Sequence, residues 1–325
     1  AYDDGHRTVL AIATSAYSSF SSCRQYREDI AIALEATGLT GRIAIDKVRQ
    51  YFDHPGFVEP FVEGVVAGVR ELLPAVDGDA SAVRLLFATH SIPTADAERS
   101  GPRDRTYPQN AGGEGGAYAA QHLAVSELVA TLAARELGFD RLAWDLVYQS
   151  RSGPPTQPWL EPDINDRIAE LPAEGVRAIA IVPVGFLSDH MEVLRDLDTE
   201  ALESAREHDL AAVRVPTPGS HRRFVEGLVD LVLERRDAPR SASAESAGSA
   251  GFMRGGIGSG GRSCGGASPP PLAPEDPEAP DVPDAPDAPD APPVSPLVPP
   301  PPLAPAVPPV LPGAGTGSGA SRMLG

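Results

Sequence analysis

Short apolar runs alternate with longer amphipathic segments through the first 237 residues of the chain. The apolar runs predict strands at residues 8–14, 42–51, 83–89, 141–149, 176–183 and 211–215. The segments between them, with apolar residues at helical spacing, predict helices at residues 22–36, 57–73, 118–137, 163–170, 189–207 and 220–234. Short, continuously apolar strands separated by helices are typical of βαβ units. The pattern therefore predicts an α/β fold, with a mainly parallel sheet covered by helices on both faces.

The composition changes at about Asp237. Beyond that residue the chain is rich in Ser, Ala and Gly and then in Pro, and Phe252 is its only aromatic residue. Such a segment buries too little apolar surface to offset the conformational entropy lost on folding. We therefore predict a folded region at residues 1–237 and a disordered, low-complexity tail rich in Pro, Ala and Gly at residues 238–325.

The charge and the apolar runs exclude several classes of partner. The formal net charge is -18, and this acidic balance argues against nucleic acid, because binding to phosphates requires clustered Lys and Arg. No apolar run reaches the roughly 18 residues of a membrane span, and the first residues, AYDDGHRT, do not resemble a signal peptide. These observations predict a cytoplasmic protein with no integral membrane association.

One acidic segment, GFLSDHMEVLRDLDTEA from Gly185 onward, directly follows a predicted buried strand. In it Glu192, Asp196 and Glu200 recur at intervals of four, which places them on nearly one face of a helix. Neighbouring like charges weaken a helix slightly. Such a row is either a set of oxygen ligands that leads to a divalent-metal site or a solvated helix face, and the spacing alone favours neither.

A second candidate stands at the end of another predicted strand. His90 directly follows the apolar run VRLLFAT, and sites in parallel α/β folds gather at the carboxyl ends of strands. A histidine in this position can be a hydrogen-bonded structural residue or a ligand. If the two strands lie close together, His90 and Glu192 face each other across one cleft, where they suit either metal binding or proton removal.

Four segments together resemble the ferrochelatase family, and in particular the coproporphyrin III ferrochelatases of actinobacteria. They are HSIP at His90, SDHMEVLRDLDTE from Ser188, TSAYSSFSSCRQYRED from Thr14, and YQSRSGPPTQPWLEPDI from Tyr148. The resemblance implies a Rossmann-like, chelatase-type fold. It also implies an enzyme, a lyase of haem biosynthesis, that takes ferrous iron as substrate and inserts it into coproporphyrin III or a related porphyrin. Cobalt and sirohydrochlorin chelatases share that fold but lack this combination of segments.

The resemblance also implies roles for individual residues. His90 and Glu192 correspond to the catalytic pair that faces the metal, and Asp196 and Glu200 continue a line of metal-handling carboxylates. Tyr26 matches a position that contacts the porphyrin. Whether His90 accepts a pyrrole proton or ligates iron stays open.

Two residues beside Glu192 receive supporting roles. His190 is two positions away and would not share a face of a regular helix with it. Asp189 either supports the site or serves as the N-cap of the acidic helix.

The sequence departs from the family pattern in two respects. Motifs of most of the first family domain are missing, which leads us to expect an amino-truncated ferrochelatase. The alternative is a non-catalytic remnant that binds divalent metal or tetrapyrrole. A [2Fe–2S] cluster, present in many actinobacterial relatives, is not expected, because it needs four thiolates and the chain has only Cys23 and Cys264.

Overall fold

The structure is a computed structural model that describes residues 1–101, 116–154 and 156–237. The tail predicted at residues 238–325, including Cys264, lies outside the described residues. The last described residue, Asp237, is also the predicted end of the folded region.

Within the described residues, six strands form two parallel sheets. β1 (Thr8–Ala11) pairs with β2 (Ala44–Lys47) in a small sheet. The larger sheet has the order β4-β3-β5-β6 and contains β3 (Val83–His90), β4 (Ala143–Gln149), β5 (Ala178–Val182) and β6 (Ala211–Arg214). Every strand overlaps a predicted one and most are shorter, because the predicted runs included apolar residues of the adjoining loops.

Seven α-helices connect and follow the described strands. They are α1 (Gln25–Ala36), α2 (Pro55–Leu72), α3 (Thr94–Glu98), α4 (Gly116–Leu137), α5 (Ile164–Glu170), α6 (Leu202–Glu207) and α7 (Arg222–Asp237). Two π-helical segments, Phe20–Arg24 and Val193–Ala201, run directly into α1 and α6. The second of them is the predicted acidic helix.

Alternate side chains of the central strand β3 enter two separate apolar cores. Leu85 and Phe87 pack with residues of α2 and α4 on one face of the sheet. Leu86 and Ala88 pack with residues of α5, α6 and the acidic π-helix on the other face. This alternation follows from the period of two along a strand, and it confirms the predicted α/β fold with helices on both faces of a parallel sheet.

The four strands of the larger sheet end at one common edge. β3 is parallel to both of its neighbours, and His90 lies opposite Gln149 in the register of β3 and β4. β5 and β6 continue the sheet in the same direction. The loops that carry the predicted site residues therefore emerge side by side.

One glycine sets how closely two of these loops approach. Gly185 follows β5, and its backbone N–H donates to the carbonyl of Ala88 at 3.1 Å. A Cβ atom at Gly185 would lie 2.1 Å from Oγ1 of Thr89. Only glycine therefore allows the segment that leads to the acidic helix to pack directly against the end of β3.

None of the helices in the described part of the chain is long and apolar enough to cross a membrane.

Candidate functional site

The structure brings His90 and Glu192 together at the carboxyl edge of the larger sheet. Nε2 of His90 lies 4.0 Å from Oε2 of Glu192. The two side chains are 35% and 57% exposed, so a ligand can reach both. The predicted proximity of the two strand ends accounts for this contact, since β3 and β5 are direct neighbours.

The backbone determines which ring nitrogen of His90 faces the carboxylate. Nδ1 hydrogen-bonds to the carbonyl oxygen of Ser91. A carbonyl can only accept, so Nδ1 carries a proton, and Nε2 is the ring nitrogen on the side of Glu192. A basic nitrogen and a carboxylate at this separation can hold a proton or a cation between them.

His190 also lies close to the carboxylate of Glu192. Its Nδ1 is 4.0 Å from Oε2 of Glu192, and its ring packs edge-on against Phe186 at 5.2 Å between centroids. The argument from helical spacing does not apply here, because His190 precedes the first helical residue, Met191. Two imidazoles therefore flank one carboxylate.

The row of carboxylates lies along a π-helix. Val193, Leu197 and Ala201 form its buried stripe, and each of the three carboxylates precedes one of these residues by one position. π-Helical segments are rare and often mark functional sites.

Two members of the row have their own hydrogen-bond donors. Asp196 accepts a hydrogen bond from Oγ of Ser150, whose φ is 59°. Nε2 of Gln149 lies 3.4 Å from the same carboxylate oxygen. Glu200 is exposed and accepts from Nε of Arg195 at 2.7 Å. The row is thus held by different partners along its length.

Asp189 is bound by residues of other elements. Its carboxylate accepts from Nη1 of Arg214 at 2.9 Å and from Oγ1 of Thr217 at 2.9 Å. These bonds tie the start of the acidic segment to the end of β6, and they favour a supporting role over the N-cap interpretation.

A buried network behind His90 has no counterpart in the sequence analysis. Nδ1 of His122 donates to the carbonyl of Tyr118 at 2.8 Å, which leaves Nε2 to accept from Oγ1 of Thr89 at 2.9 Å. The hydroxyl of Tyr118 donates to the carbonyl of His90 at 2.9 Å. Burial lowers the pKa of His122 to about 3, so its ring is neutral. Tyr17 stacks on that ring at 3.6 Å between centroids. The only sequence signal was a tyrosine and a histidine four residues apart on one helix.

The remaining predicted residues lie apart from this network. Tyr26 is 44% exposed at the start of α1. Cys23 is buried, and Nε2 of Gln50 lies 2.8 Å from its sulfur. Within residues 1–101, 116–154 and 156–237, no three His, Cys, Asp or Glu side chains are arranged to hold a metal ion.

The fold and this edge together define a parallel α/β protein with a partly exposed imidazole–carboxylate pair at the carboxyl edge of its larger sheet. A family model described as Ferrochelatase matches residues 1–236. The chain belongs to the ferrochelatase family.

Several curated relatives are coproporphyrin III ferrochelatases. The protein of Leifsonia xyli subsp. xyli is 66% identical over 236 residues, which are 72% of this chain and 59% of the relative. The protein of Tropheryma whipplei strain Twist is 53% identical over 243 residues, 74% of this chain and 60% of the relative. The chain thus spans about 60% of the length of these relatives.

One solved structure with a similar chain trace is the sirohydrochlorin chelatase of Bacillus subtilis subspecies spizizenii in complex with cobalt. It is 12% identical, with a TM-score of 0.40, over 72% of this chain and 71% of that chain.

Proposed function

We propose that this chain carries the metal-handling part of an enzyme that inserts ferrous iron into coproporphyrin III in haem biosynthesis. Family membership and the names of the relatives support this assignment. The single observation that carries it is the 4.0 Å separation of Nε2 of His90 and Oε2 of Glu192. Bonds from a divalent metal to imidazole nitrogen and to carboxylate oxygen are each about 2 Å long, so the gap matches one ion.

Metallation requires two pyrrole protons to leave the porphyrin and hydrated iron to lose water. Nε2 of His90 lies beside Glu192 at the carboxyl edge of the sheet, where it can accept a pyrrole proton or ligate the ion. Glu192 can stabilise the resulting imidazolium or the incoming cation. His190, close to the same oxygen of Glu192, supports that carboxylate.

Iron approaches Glu192 along the acidic π-helix. Glu200 lies at the end of the row away from His90, and Asp196 is half-buried between it and Glu192. Carboxylate oxygens suit hard divalent cations and exchange them readily. The porphyrin contacts the exposed side chain of Tyr26. No iron–sulfur cluster takes part in this proposal.

The domain division belongs to the same proposal. Residues 1–237 form the ferrochelatase-like region, and residues 238–325 form a low-complexity extension without a role in metallation. The cytoplasmic location stays a prediction from the sequence.

A second candidate is binding of divalent metal or tetrapyrrole without turnover. The observation that favours it is the match to only about 60% of the relatives' length. Binding needs fewer surrounding groups than catalysis does.

The deciding assay mixes the purified chain with ferrous iron and coproporphyrin III without oxygen and follows the metalloporphyrin spectrum. We expect turnover, and we expect His90→Ala and Glu192→Gln to reduce kcat at least 100-fold, as loss of a general acid–base group does (about 10²–10⁴-fold). His208→Ala is the matched control, because this histidine hydrogen-bonds to Ser204 at the end of α6, at the opposite edge of the sheet. Metal binding without turnover in the wild-type chain would refute the enzyme and establish the second candidate.

A further inference from the structure

Arg214, the last residue of β6, binds two carboxylates of the acidic segment at once. Nη1 and Nη2 approach the two oxygens of Asp189 at 2.9 and 3.3 Å. Nε and Nη2 approach the two oxygens of Asp198 at 2.6 and 3.0 Å. Both pairs have the two-point geometry that a planar guanidinium provides and an ammonium does not.

The two carboxylates lie on either side of Glu192 along the chain. Asp189 precedes the helix, and Asp198 is the sixth residue of its π-helical segment. Arg214 itself is anchored by the pairing of β6 with β5, in which it lies opposite Ile181. One side chain therefore fixes the acidic helix relative to the sheet that carries His90.

Arg214 is more buried than the two carboxylates that it binds. The Arg214 side chain is 14% exposed, and those of Asp189 and Asp198 are 37% and 30% exposed. Exposed pairs contribute little to stability, because solvent screens them and both side chains lose freedom. Here two edges of a mostly buried guanidinium face carboxylates, and Nη1 also approaches the carbonyl of Val215 at 3.4 Å.

The contact also divides the acidic segment into bound and available carboxylates. Arg214 neutralises Asp189 and Asp198, and Ser150 donates to Asp196. Glu192 has only the two histidines close to its carboxylate among the described ion pairs. Without Arg214, two more carboxylates would be free to compete for a divalent cation.

We propose that Arg214 is a positioning residue for iron insertion. It keeps the acidic helix in the place where Glu192 faces His90, and it withholds Asp189 and Asp198 from the metal. This inference rests on the proposed function, so its test includes one readout that does not depend on turnover.

The test compares three variants with the wild type. Arg214→Lys keeps the charge and loses the two-point geometry, whereas Asp198→Asn removes one of the two bound carboxylates and keeps its shape. Arg222→Gln is the matched control, because Arg222 is an 88% exposed arginine of α7 that binds Glu226, outside the acidic segment. Measured are kcat, KM for ferrous iron, KM for coproporphyrin III, and amide hydrogen exchange at residues 193–202.

We expect Arg214→Lys to lower kcat/KM for ferrous iron about 10-fold or more, since small displacements of a reacting group reduce rates by up to about 100-fold. KM for coproporphyrin III should be unchanged, and exchange at residues 193–202 should accelerate. Asp198→Asn should lower kcat/KM for ferrous iron and accelerate exchange by less, and Arg222→Gln should leave both readouts unchanged.

Unchanged exchange in both Arg214→Lys and Asp198→Asn would overturn the inference, whether or not the chain turns over. Equal losses toward iron and porphyrin would also overturn it, because they indicate general destabilisation. If the wild-type chain does not turn over but exchange is faster in Arg214→Lys, the proposed function is refuted. The role of Arg214 in holding the acidic helix then still stands. If Arg214→Lys does not fold, Asp198→Asn supplies the same two readouts.

Discussion

The buried histidine of α4 should make the stability of this protein fall with acidification. His122 is fully buried, and its Nε2 accepts a hydrogen bond that protonation would abolish. Burial lowers its pKa from 6.5 to about 3. The unfolded chain therefore takes up a proton as the pH falls through about 6.5, while the folded chain does not until about pH 3. Stability from this residue is complete above pH 6.5 and is lost progressively below it.

The size of the effect follows from the same two pKa values. Each pH unit between them changes the free energy of unfolding by about 1.4 kcal/mol. Acidification from pH 6.5 to 4.5 should therefore cost about 3 kcal/mol at His122, a large part of the roughly 5–15 kcal/mol that stabilises a typical domain.

Urea unfolding at several pH values between 7 and 4.5 measures this slope. His122→Gln retains a polar group near the position of Nε2 and cannot titrate, so it should be less stable at pH 7 and have a slope shallower by about 1.4 kcal/mol per pH unit. Carboxylate pairs contribute equally to both proteins and cancel in the difference. Parallel slopes for the two proteins would show that His122 does not stay neutral in the folded chain.

His54 provides an internal comparison for that experiment. Its Nδ1 accepts from the backbone N–H of Gly56 at 3.1 Å at the start of α2. Burial and the nearby charge of Arg49 lower its pKa. Protonation would remove this cap, so His54 adds a second loss of stability in the same direction below pH 6.5. A variant in which both His122 and His54 are replaced by Gln should have a shallower slope of stability against pH than His122→Gln alone.

Three further predictions concern single positions. Gly185→Ala should destabilise the chain by roughly 1–3 kcal/mol in chemical unfolding, because the new methyl group overlaps Thr89; unaltered stability would mean that the loop moves freely. Tyr118→Phe should lower the free energy of unfolding by about 1 kcal/mol and should also lower kcat, because it removes the hydrogen-bond donor to the carbonyl of His90. A loss of stability with unchanged kcat would show that this hydrogen bond does not affect the site. Asp163→Ala should destabilise the chain by about 1 kcal/mol, because it removes the N-cap of α5, whereas Asp163→Asn can still accept that hydrogen bond and should not destabilise it. Thermal melts of both variants test this difference.

Much of the site could be predicted from the sequence because its signals are local. His90 follows a run of seven mostly apolar residues, and a parallel strand delivers whatever follows it to the carboxyl edge. Glu192 lies in the segment that follows β5, so it is delivered to the same edge of the sheet. Their meeting required only that the two strands be neighbours, which they are.

Other features of the site join residues that are remote in the chain. Ser150 and Asp196 are 46 positions apart and meet because β4 and the acidic helix end at one edge. The same reason explains the distant partners of Arg214. The spacing of four among the carboxylates predicted a helix, and the structure shows that Val193–Ala201 is π-helical.

The sequence by itself thus determined the strands, the helices and the composition change near Asp237, because each of these is a property of neighbouring residues. The tertiary structure decided the strand order β4-β3-β5-β6, the winding of the acidic helix and the partner of each carboxylate. These depend on which buried surfaces meet, and packing of side chains distant in sequence settles that.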